Sequence, residues 1–526
     1  MSIKIDASRW TRLILAMVFA ISLFAGSPKQ STGQSNAPDK TSDAGGSETA
    51  LGDVSNAGGA AFADFDSLID LIQTTVNPET WETLGGQSTI EPYPQGVMVS
   101  PEGTLANVAS VRNSDAKSMI AKSNLAPIGN PTDPDAQKKD WRLPAKIRVV
   151  SLTRLRNAIV ATYARGGRPD EAMWNLAGLS DIRVVTASDG ELWVAGTVGG
   201  IATDGDGWLR DRRTGRTPLR WDWLASTMQS AISNTPFGCT IDPTAQGMRS
   251  AANVASAVNQ GNVTASEADT LLSEAFGFQD IRVFGTQPDG VVALMLVEAD
   301  RHMKELALGV HSMPDETANY FDVVGQSIAS GPPSDLLLRL WFTASPRKWK
   351  QSEDGSLIQM SGIPVRLSGE NQLALANGGR GQVVVDERTK HFVDNFNENW
   401  IGIRSKYPIY ASVESVFQAA SLAEASQRVS GDDTDLNRLC QSIAASSSVF
   451  ITGGPVPKQT PTLAVHRQFR QGKKRHDVVV ASGGVMVSPE GTLNTSPDGK
   501  ANIKTEYLSG NATDPTGFDG WWWDVR

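Results

Sequence analysis

Apolar residues recur at helical spacing in two parts of the chain, and each part leads into a β-prone run that contains DIRV. LTRLRNAIVATYA and PDEAMWNLA precede GLSDIRVVTASDGELWVAG, which begins at Gly178. MRSAANVASAVNQ and ASEADTLLSEAF precede GFQDIRVFGTQPDGVVALML, which begins at Gly277. Glycine ends each helical run. The pattern predicts two copies of a helix–helix–strand–strand module, in which residues 152–196 superpose on residues 248–297.

Short β-prone runs separated by glycine-containing turns predict hairpins elsewhere. GVMVSPEGTL occurs at residues 96–105 and again at 484–493. Ser-Pro-Glu-Gly suits the four positions of a type I turn, so we expect hairpins that turn at 100–103 and 488–491. TASDGELWV, TQPDGVVALML, QSEDGSLIQM and TSPDGKANI carry similar turn chemistry. Their irregular spacing excludes a β-propeller, which repeats every 40 to 50 residues or so.

The repeated decapeptide has two interpretations. Both copies are docking elements that add a strand to an exposed sheet edge, or both are ordinary core hairpins. Recurrent turns are usually structural, which favours the second interpretation.

Three β-prone runs follow the second module: LLLRLWFTA, SLIQMSG and IPVRLSG. They predict a β-meander, and ASVESVFQAASLAEASQ then predicts an amphipathic helix. The apolar residues of this helix are Val413, Val416, Phe417, Ala420 and Leu422. The predicted fold class is α+β, with duplicated modules followed by the meander and the helix.

The length of 526 residues exceeds what one core usually holds and predicts several domains. Residues 28–60 contain almost no large side chains, so they predict a disordered linker that cannot offset its ordering entropy. The tail is rich in Pro, Thr, Gly and Asn and predicts only partial order. The predicted boundaries are 1–27 for a signal peptide, 28–60 for the linker, 61–110 for a small α/β segment with a hairpin, 146–235 and 236–325 for the two modules, 326–449 for the meander plus helix, and 450–526 for a low-order tail with the second hairpin copy.

The N-terminal segment has the pattern of an export signal. Lys4, Arg9 and Arg12 precede LILAMVFAISLFAG, which is shorter than a membrane span of roughly 20 residues. Residues 25–27 are small and offer a cleavage site, and the absence of a cysteine after the run excludes a lipoprotein anchor. We expect a periplasmic or cell-envelope protein, with an uncleaved signal anchor as the alternative and the only membrane contact.

The charge of the chain limits its partners. Fifty-seven acidic and 48 basic residues give a net charge of −9, which disfavours nucleic acid. HRQFRQGKKRH, residues 466–476, is the concentrated basic run. It binds an anionic glycan, phosphate or acidic partner, or it is a solvated loop, which is the usual role of such runs. Trp521, Trp522 and Trp523 seal the protein's own sheet or anchor a partner.

Three acidic or imidazole side chains form the main chemical candidate. Glu298, Asp300 and His302 lie two apart at the predicted end of a strand, where they would share one face as a metal or acid–base cluster requires. The favoured alternative makes Asp300 the N-cap of a helix over RHMKELAL and leaves Glu298 on a solvated face.

Other metal and nucleophile patterns are weak. ATDGDGWLRDRRTG resembles a calcium loop, but Trp208 and Gly215 occupy ligand positions, so a turn is expected. Cys239 and Cys440 form one disulfide or remain as two buried thiols. Cys239 as a nucleophile has no neighbouring histidine, and a structural thiol is the commoner case. We expect no metal and no cofactor, and no catalytic residue is assigned.

GLSDIRV, FGCTIDPTAQGM, LMLVEADRHMKELALGV and LRLWFTASPRKWKQSEDGSLIQMSGIPVRLSGENQLA resemble a planctomycete family of exported proteins that is known only as a domain of unknown function. The resemblance covers residues 146–425. DFDSLIDLIQTTVNPETWETLGGQSTI, residues 64–90, resembles a short segment that recurs in planctomycete secretin-like proteins. The family implies no accepted catalytic residues, so the resemblance places no site on this chain.

These observations favour a noncatalytic scaffold or interaction protein of the cell envelope, with other envelope proteins as partners. The first alternative is an extracytoplasmic glycan- or peptide-binding module, which requires a cleft lined by aromatic side chains. The second is an enzyme with an unfamiliar site, which requires polar side chains that converge in a deep pocket.

Overall fold

The computed structural model describes residues 89–93, 96–100, 140–264, 267–314, 317–326, 337–372, 383, 386–448, 456–471, 473–501 and 523. All of them lie in one unit, Phe65–Arg526. The predicted signal peptide and linker, residues 1–60, lie outside the described residues.

Helices and strands alternate irregularly along the described chain, which confirms the predicted α+β class. The helices are α1 (Leu152–Ala164), α2 (Glu171–Trp174), α3 (Trp221–Ser233), α4 (Ala245–Asn259), α5 (Ala268–Phe276), α6 (Val291–Ala307), α7 (Tyr320–Gln326), α8 (Glu387–Glu398), α9 (Trp400–Lys406), α10 (Pro408–Ser430) and α11 (Thr434–Ala445). The strands are β1 (Thr89–Tyr93), β2 (Gly96–Ser100), β3 (Ala145–Ser151), β4 (Asp181–Ser188), β5 (Glu191–Val198), β6 (Ile201–Thr203), β7 (Leu209–Asp211), β8 (Phe237–Pro243), β9 (Phe278–Phe284), β10 (Leu337–Ala344), β11 (Lys348–Gln351), β12 (Leu357–Ser361), β13 (Val365–Gln372), β14 (Gln459–Pro461), β15 (Ala464–Gln471) and β16 (Lys473–Val487).

A seven-stranded sheet has a strand from the predicted tail in its interior. Its order is β13-β10-β16-β8-β9-β14, and β15 pairs with β16 outside this path. β16 runs parallel to β10 and antiparallel to β8, so Val485 lies opposite both Phe342 and Cys239. Gly483 has a φ of 125°, and a Cβ there would lie 1.8 Å from the carbonyl oxygen of Leu340. Only glycine allows this close approach of the two strands.

The second large sheet is antiparallel and has the order β11-β12-β4-β5-β3. Asp189 and Gly190 join β4 to β5 with φ values of 54° and 72°, the backbone that a two-residue type I′ turn requires. The hairpin predicted in TASDGELWV is therefore confirmed. The hairpin predicted in QSEDGSLIQM is also confirmed, as β11 and β12.

Helix α10 packs against α3, α6 and strand β4. The predicted helix is confirmed, but it is buried on nearly all sides rather than amphipathic. Its polar residues are bonded internally: Gln418 Oε1 accepts from the backbone N of Ile182 at 2.9 Å, and Gln418 Nε2 donates to the carbonyl of Ser180 at 3.0 Å. In the part of the chain that the structure describes, no helix is long and apolar enough to cross a membrane.

The predicted superposition of two four-element modules is wrong. Both segments contain strand, helix, helix and strand, as β3-α1-α2-β4 and β8-α4-α5-β9, but β5 follows the first and helix α6 follows the second. The sequence VVALMLV is a continuous apolar run, which periodicity alone cannot assign to a strand or to a buried helix. Gly290 is the N-cap of α6 and not the turn of a hairpin.

The predicted meander is also wrong in its connections. β10 pairs with β13 in the seven-stranded sheet, whereas β11 and β12 belong to the five-stranded sheet. The chain therefore leaves one sheet after β10, forms a hairpin on the other sheet, and returns with β13. Alternation of apolar residues identified the strands but carries no information about which sheet each one joins.

The second copy of GVMVSPEGTL does not form the predicted hairpin, and the turn predicted for the first copy lies outside the described residues. In the first copy, β2 pairs with the preceding strand β1, and residues 101–103 of the expected turn lie outside the described part. In the second copy, β16 ends at Val487 and a 3₁₀ helix, Glu490–Thr492, follows. Val485 and Val487 are fully buried in an interior strand, so docking by strand addition at an exposed edge is excluded for this copy.

Candidate functional site

A cleft of about 250 Å³ lies beside helix α6. One wall is the helix itself, through Arg301, Lys304 and Glu305, and the facing wall is the chain at residues 460–463. Strands β8, β9 and β16 contribute Ile241, Gln279 and Ala481 to the lining. The cleft therefore combines aliphatic surface with charged and hydrogen-bonding groups.

Helix α6 carries an ion pair that is hidden from solvent next to the cleft. Lys304 Nζ lies 2.6 Å from Asp300 Oδ2, one helical turn away, and also donates to the carbonyl of Ile241 at 3.3 Å. Both side chains are buried. Burial raises the pKa of Asp300 to about 6; Lys304 opposes this shift and Asp242 adds to it.

The remaining charged side chains of the cleft are also paired, with partners on α6 and with His311 beyond its end. Arg301 Nε donates to both carboxylate oxygens of Glu298 at 3.1 Å, and Arg301 also donates to Glu305 Oε1. Glu305 Oε2 lies 2.9 Å from His311 Nε2. Both oxygens of the Glu305 carboxylate are thus engaged by side chains of the protein.

Histidine 302 belongs to a separate aromatic group. His302 Nδ1 lies 2.8 Å from the Tyr410 hydroxyl, and the His302 ring stacks on His311 with centroids 4.6 Å apart. The Tyr407 ring contacts His302 edge-on. Burial raises the pKa of Tyr410 well above its ordinary value, so this hydroxyl stays protonated.

The predicted cluster of Glu298, Asp300 and His302 does not exist. All three residues lie inside α6, where positions two apart point in directions roughly 200° apart instead of sharing a face. The favoured alternative is wrong as well, because Asp300 lies in the helix interior and Glu298 is buried. Each residue has its own partner, respectively Arg301, Lys304 and Tyr410.

The polar residues of the cleft were not predicted from the sequence. The pairs Asp300–Lys304 and Arg301–Glu305 have the i,i+4 spacing that stabilises a helix. This spacing could have predicted from the sequence that the segment is one continuous helix. Gln279 Nε2 donates to the carbonyl of Ala481 and joins β9 to β16 across the sheet. No local pattern marks that contact.

Cys239 and Cys440 are both buried free thiols, so the interpretation without a disulfide is confirmed. Burial raises the pKa of both, most strongly that of Cys239, which also lies near the Asp300 carboxylate. A thiol that stays protonated is a poor nucleophile. Cys239 is therefore a core residue of β8.

The calcium-like segment is a turn between β6 and β7, as expected. Asp204 Oδ1 accepts from the backbone N of Asp206 and of Trp208, and Trp208 is buried. Within the described residues, no group of three or more His, Cys, Asp or Glu side chains is arranged to hold a metal ion.

The basic run of residues 466–476 is not a loop, because it forms the antiparallel pair β15–β16. Arg467 is exposed, and its guanidinium lies 5.9 Å from the ring centroid of Phe321. Trp523, near the end of the chain, is buried and forms a β-bridge with Val150 on the edge strand β3. The guanidinium carbon of Arg148 lies 4.6 Å from the centroid of the Trp523 ring. Trp523 thus seals the protein's own sheet; Trp521 and Trp522 lie outside the described residues.

A second buried polar cluster is centred on Glu414 of α10. Its carboxylate accepts from Arg216 Nε at 2.7 Å, from Trp400 Nε1 at 2.6 Å, and from Arg404. Burial by itself would raise the pKa of Glu414, but the two arginines outweigh it and lower the pKa. The cluster joins α9 and α10 to the chain before α3. Because its donors saturate the carboxylate, its role is structural.

Residues 239–320 match the model of a family described as a protein of unknown function (DUF1598). The match runs from β8 to the start of α7 and includes the α6 wall of the cleft. The expected resemblance to a family of unknown function is confirmed over these residues. Comparisons with curated proteins and with solved structures found no match.

Proposed function

We propose that this protein is a noncatalytic interaction protein that binds a peptide segment of a partner in the cleft beside α6. The observation that carries the proposal is the lining of that cleft. Ile241, Pro461 and Leu463 offer aliphatic surface, while Lys304, Gln279 and Thr462 offer buried polar groups. A peptide presents the matching combination of aliphatic side chains and main-chain polar groups.

The same lining makes the two alternatives less suitable. A glycan-binding module was expected to have aromatic walls, and the described residues that line this cleft are aliphatic, hydroxyl, amide or charged. An enzyme needs an acid, base or nucleophile that is available to a substrate. Here Glu305 is engaged by Arg301 and His311, and Asp300 by Lys304.

The cellular setting belongs to the proposal as well. Export to the periplasm or cell envelope is supported by the basic N-terminus and the apolar run after it, and envelope proteins are the partners that this setting implies. The net charge of −9 argues against nucleic acid. The planctomycete origin and the secretin-like likeness of residues 64–90 stay predictions, and the latter segment lies largely outside the described residues.

Selection from a library of short peptides displayed with either end free tests the proposal. We expect selected peptides to bind the wild-type chain and to lose at least tenfold in affinity for the double variant Lys304→Met with Asp300→Asn, which removes the ion pair without leaving one charge buried. The matched control is Lys390→Met, at an exposed lysine of α8. Equal affinity of the selected peptides for the wild type and the double variant contradicts the proposal. Cleavage of a selected peptide, detected by mass spectrometry, supports the enzyme alternative instead.

A further inference from the structure

Two side chains of the cleft, Lys304 and Thr462, have hydrogen-bond donors that the protein does not use. Lys304 Nζ has three N–H groups and uses two, for Asp300 and for the carbonyl of Ile241. Thr462 Oγ1 is buried and has no partner. The acidic side chain of the lining, Glu305, has both oxygens engaged.

The position of Thr462 is held by its backbone and not by its hydroxyl. The backbone N of Thr462 donates to the carbonyl of Gly277 at 3.0 Å, and its carbonyl accepts from Ser273 Oγ at 3.1 Å. A buried hydroxyl without a partner costs about 1–3 kcal/mol in general. Valine, which has a methyl group in place of the hydroxyl, would therefore support the fold equally well. This indicates that the hydroxyl serves to bind a ligand.

We infer that the cleft binds a carboxylate, and specifically the C-terminal carboxylate of a peptide that ends in a small aliphatic residue. The Lys304 ammonium and the Thr462 hydroxyl donate to its oxygens, while Ile241, Pro461 and Leu463 contact the aliphatic side chain. A charge-assisted bond from a buried ammonium is stronger than a neutral one. The volume of about 250 Å³ accommodates a chain end more readily than a continuous segment.

The inference rests on the proposed function and adds a coupling to protons. A bound carboxylate shares Lys304 with Asp300, so Asp300 becomes easier to protonate. Asp300 is faced by Lys304 on its own helix, by Asp242 and Cys239 of β8, and by Tyr410 of α10. Because its pKa is about 6 before binding, affinity rises as the pH falls from about 7.5 to about 5.5, while the ligand carboxylate stays ionised.

Calorimetry with three probes tests the inference: N-acetyl-Ala-Val with a free carboxylate, its C-terminal amide, and N-acetyl-Ala-Glu-amide. We expect the free acid to bind at least tenfold more tightly than its amide and than the glutamate probe, and more tightly at the lower pH. Equal binding of the free acid and its amide would show that the cleft does not recognise a carboxylate. Equal or tighter binding of the glutamate probe would show that the recognised carboxylate is not that of a chain end. In either case, library peptides that still depend on Lys304 leave the proposed function intact.

The variant Thr462→Val separates a binding role from a structural one. Removal of a hydroxyl that has no partner leaves the melting temperature unchanged or raises it, whereas affinity for the free acid falls about threefold to tenfold. Unchanged affinity together with a stable fold contradicts the inference. This variant is informative even if the double variant at Lys304 and Asp300 fails to fold.

Discussion

Lys304 Nζ lies 2.6 Å from Asp300 Oδ2 in the interior of the protein, yet the pKa of Asp300 stays above that of an ordinary aspartate. Desolvation of the carboxylate thus outweighs the attraction of the ammonium. The ionised carboxylate therefore lowers the stability of the fold near neutral pH, as the desolvation of a buried ion pair can.

Asp300 makes the free energy of unfolding depend on pH in a defined direction. Its pKa rises from 3.8 to about 6 on folding, so the folded chain holds more protons than the unfolded chain between these values. Stability therefore falls as pH rises through this window and levels off above it, by about 3 kcal/mol in total. Urea unfolding of the wild type and of Asp300→Asn from about pH 4 to 7 should show the difference between their free energies of unfolding changing by about 2 kcal/mol. A difference independent of pH refutes the prediction; Asp435→Asn, at an exposed site, is the control.

Glu414 acts in the opposite direction. Its pKa is lowered on folding, so its contribution to stability is present above its ordinary value of 4.5 and is lost as pH falls through the folded-state value. Glu414→Gln removes the buried negative charge that Arg216 and Arg404 share and should destabilise the fold by about 3–5 kcal/mol at neutral pH. Glu398→Gln, on an exposed position of α8, should change stability by less than about 0.5 kcal/mol. Similar effects of the two substitutions would show that the cluster does not hold α10.

Val485 and Met486 test the role of the second decapeptide copy. Val485 is fully buried, whereas its neighbour Met486 is 39% exposed on the other face of β16. Val485→Asp places a charge in the core and should cost more than about 4 kcal/mol, while Met486→Asp should cost less than about 1 kcal/mol. Thermal unfolding compares them. Loss of co-purifying partners at an unchanged melting temperature in Val485→Asp would contradict the assignment of this strand to the core.

The two cysteines provide a probe of global unfolding. Both thiols are buried and their pKa values are raised, so iodoacetamide should modify neither in the native protein and both in urea. Mass spectrometry of the alkylated chain without a reducing agent should find two adducts. A chain that accepts none after denaturation would contain a disulfide.

The types of residue in a turn were sufficient to predict a hairpin where the turn requires positive φ values. Asp189 and Gly190 have positive φ values, and the hairpin they close was predicted correctly. The same Asp-Gly pair at residues 289–290 precedes helix α6, because the apolar run after it is buried on all sides instead of on one. Hydrophobic pattern therefore located the elements, whereas their type depended on what packs around them.

The candidate site was not accessible from the sequence for a related reason. Lys304 and Arg301 line the cleft only because α6 is helical, and the opposite wall comes from residues 460–463, far along the chain. Thr462 lies in a segment whose composition predicted little order, yet the backbone of this segment bonds to the Ser273 hydroxyl of α5 and pairs with β9. Such contacts follow from the tertiary fold and leave no mark in one sequence.

The interior position of β16 also determines when the protein can fold during its synthesis. Strands β8 and β10 are complete by Ala344, but the strand that joins them ends at Val487. Until the ribosome has delivered that strand, each of the two earlier strands keeps an open edge, which is a template for association with other chains. The larger sheet therefore gains its interior strand only when nearly all of the polypeptide has been made.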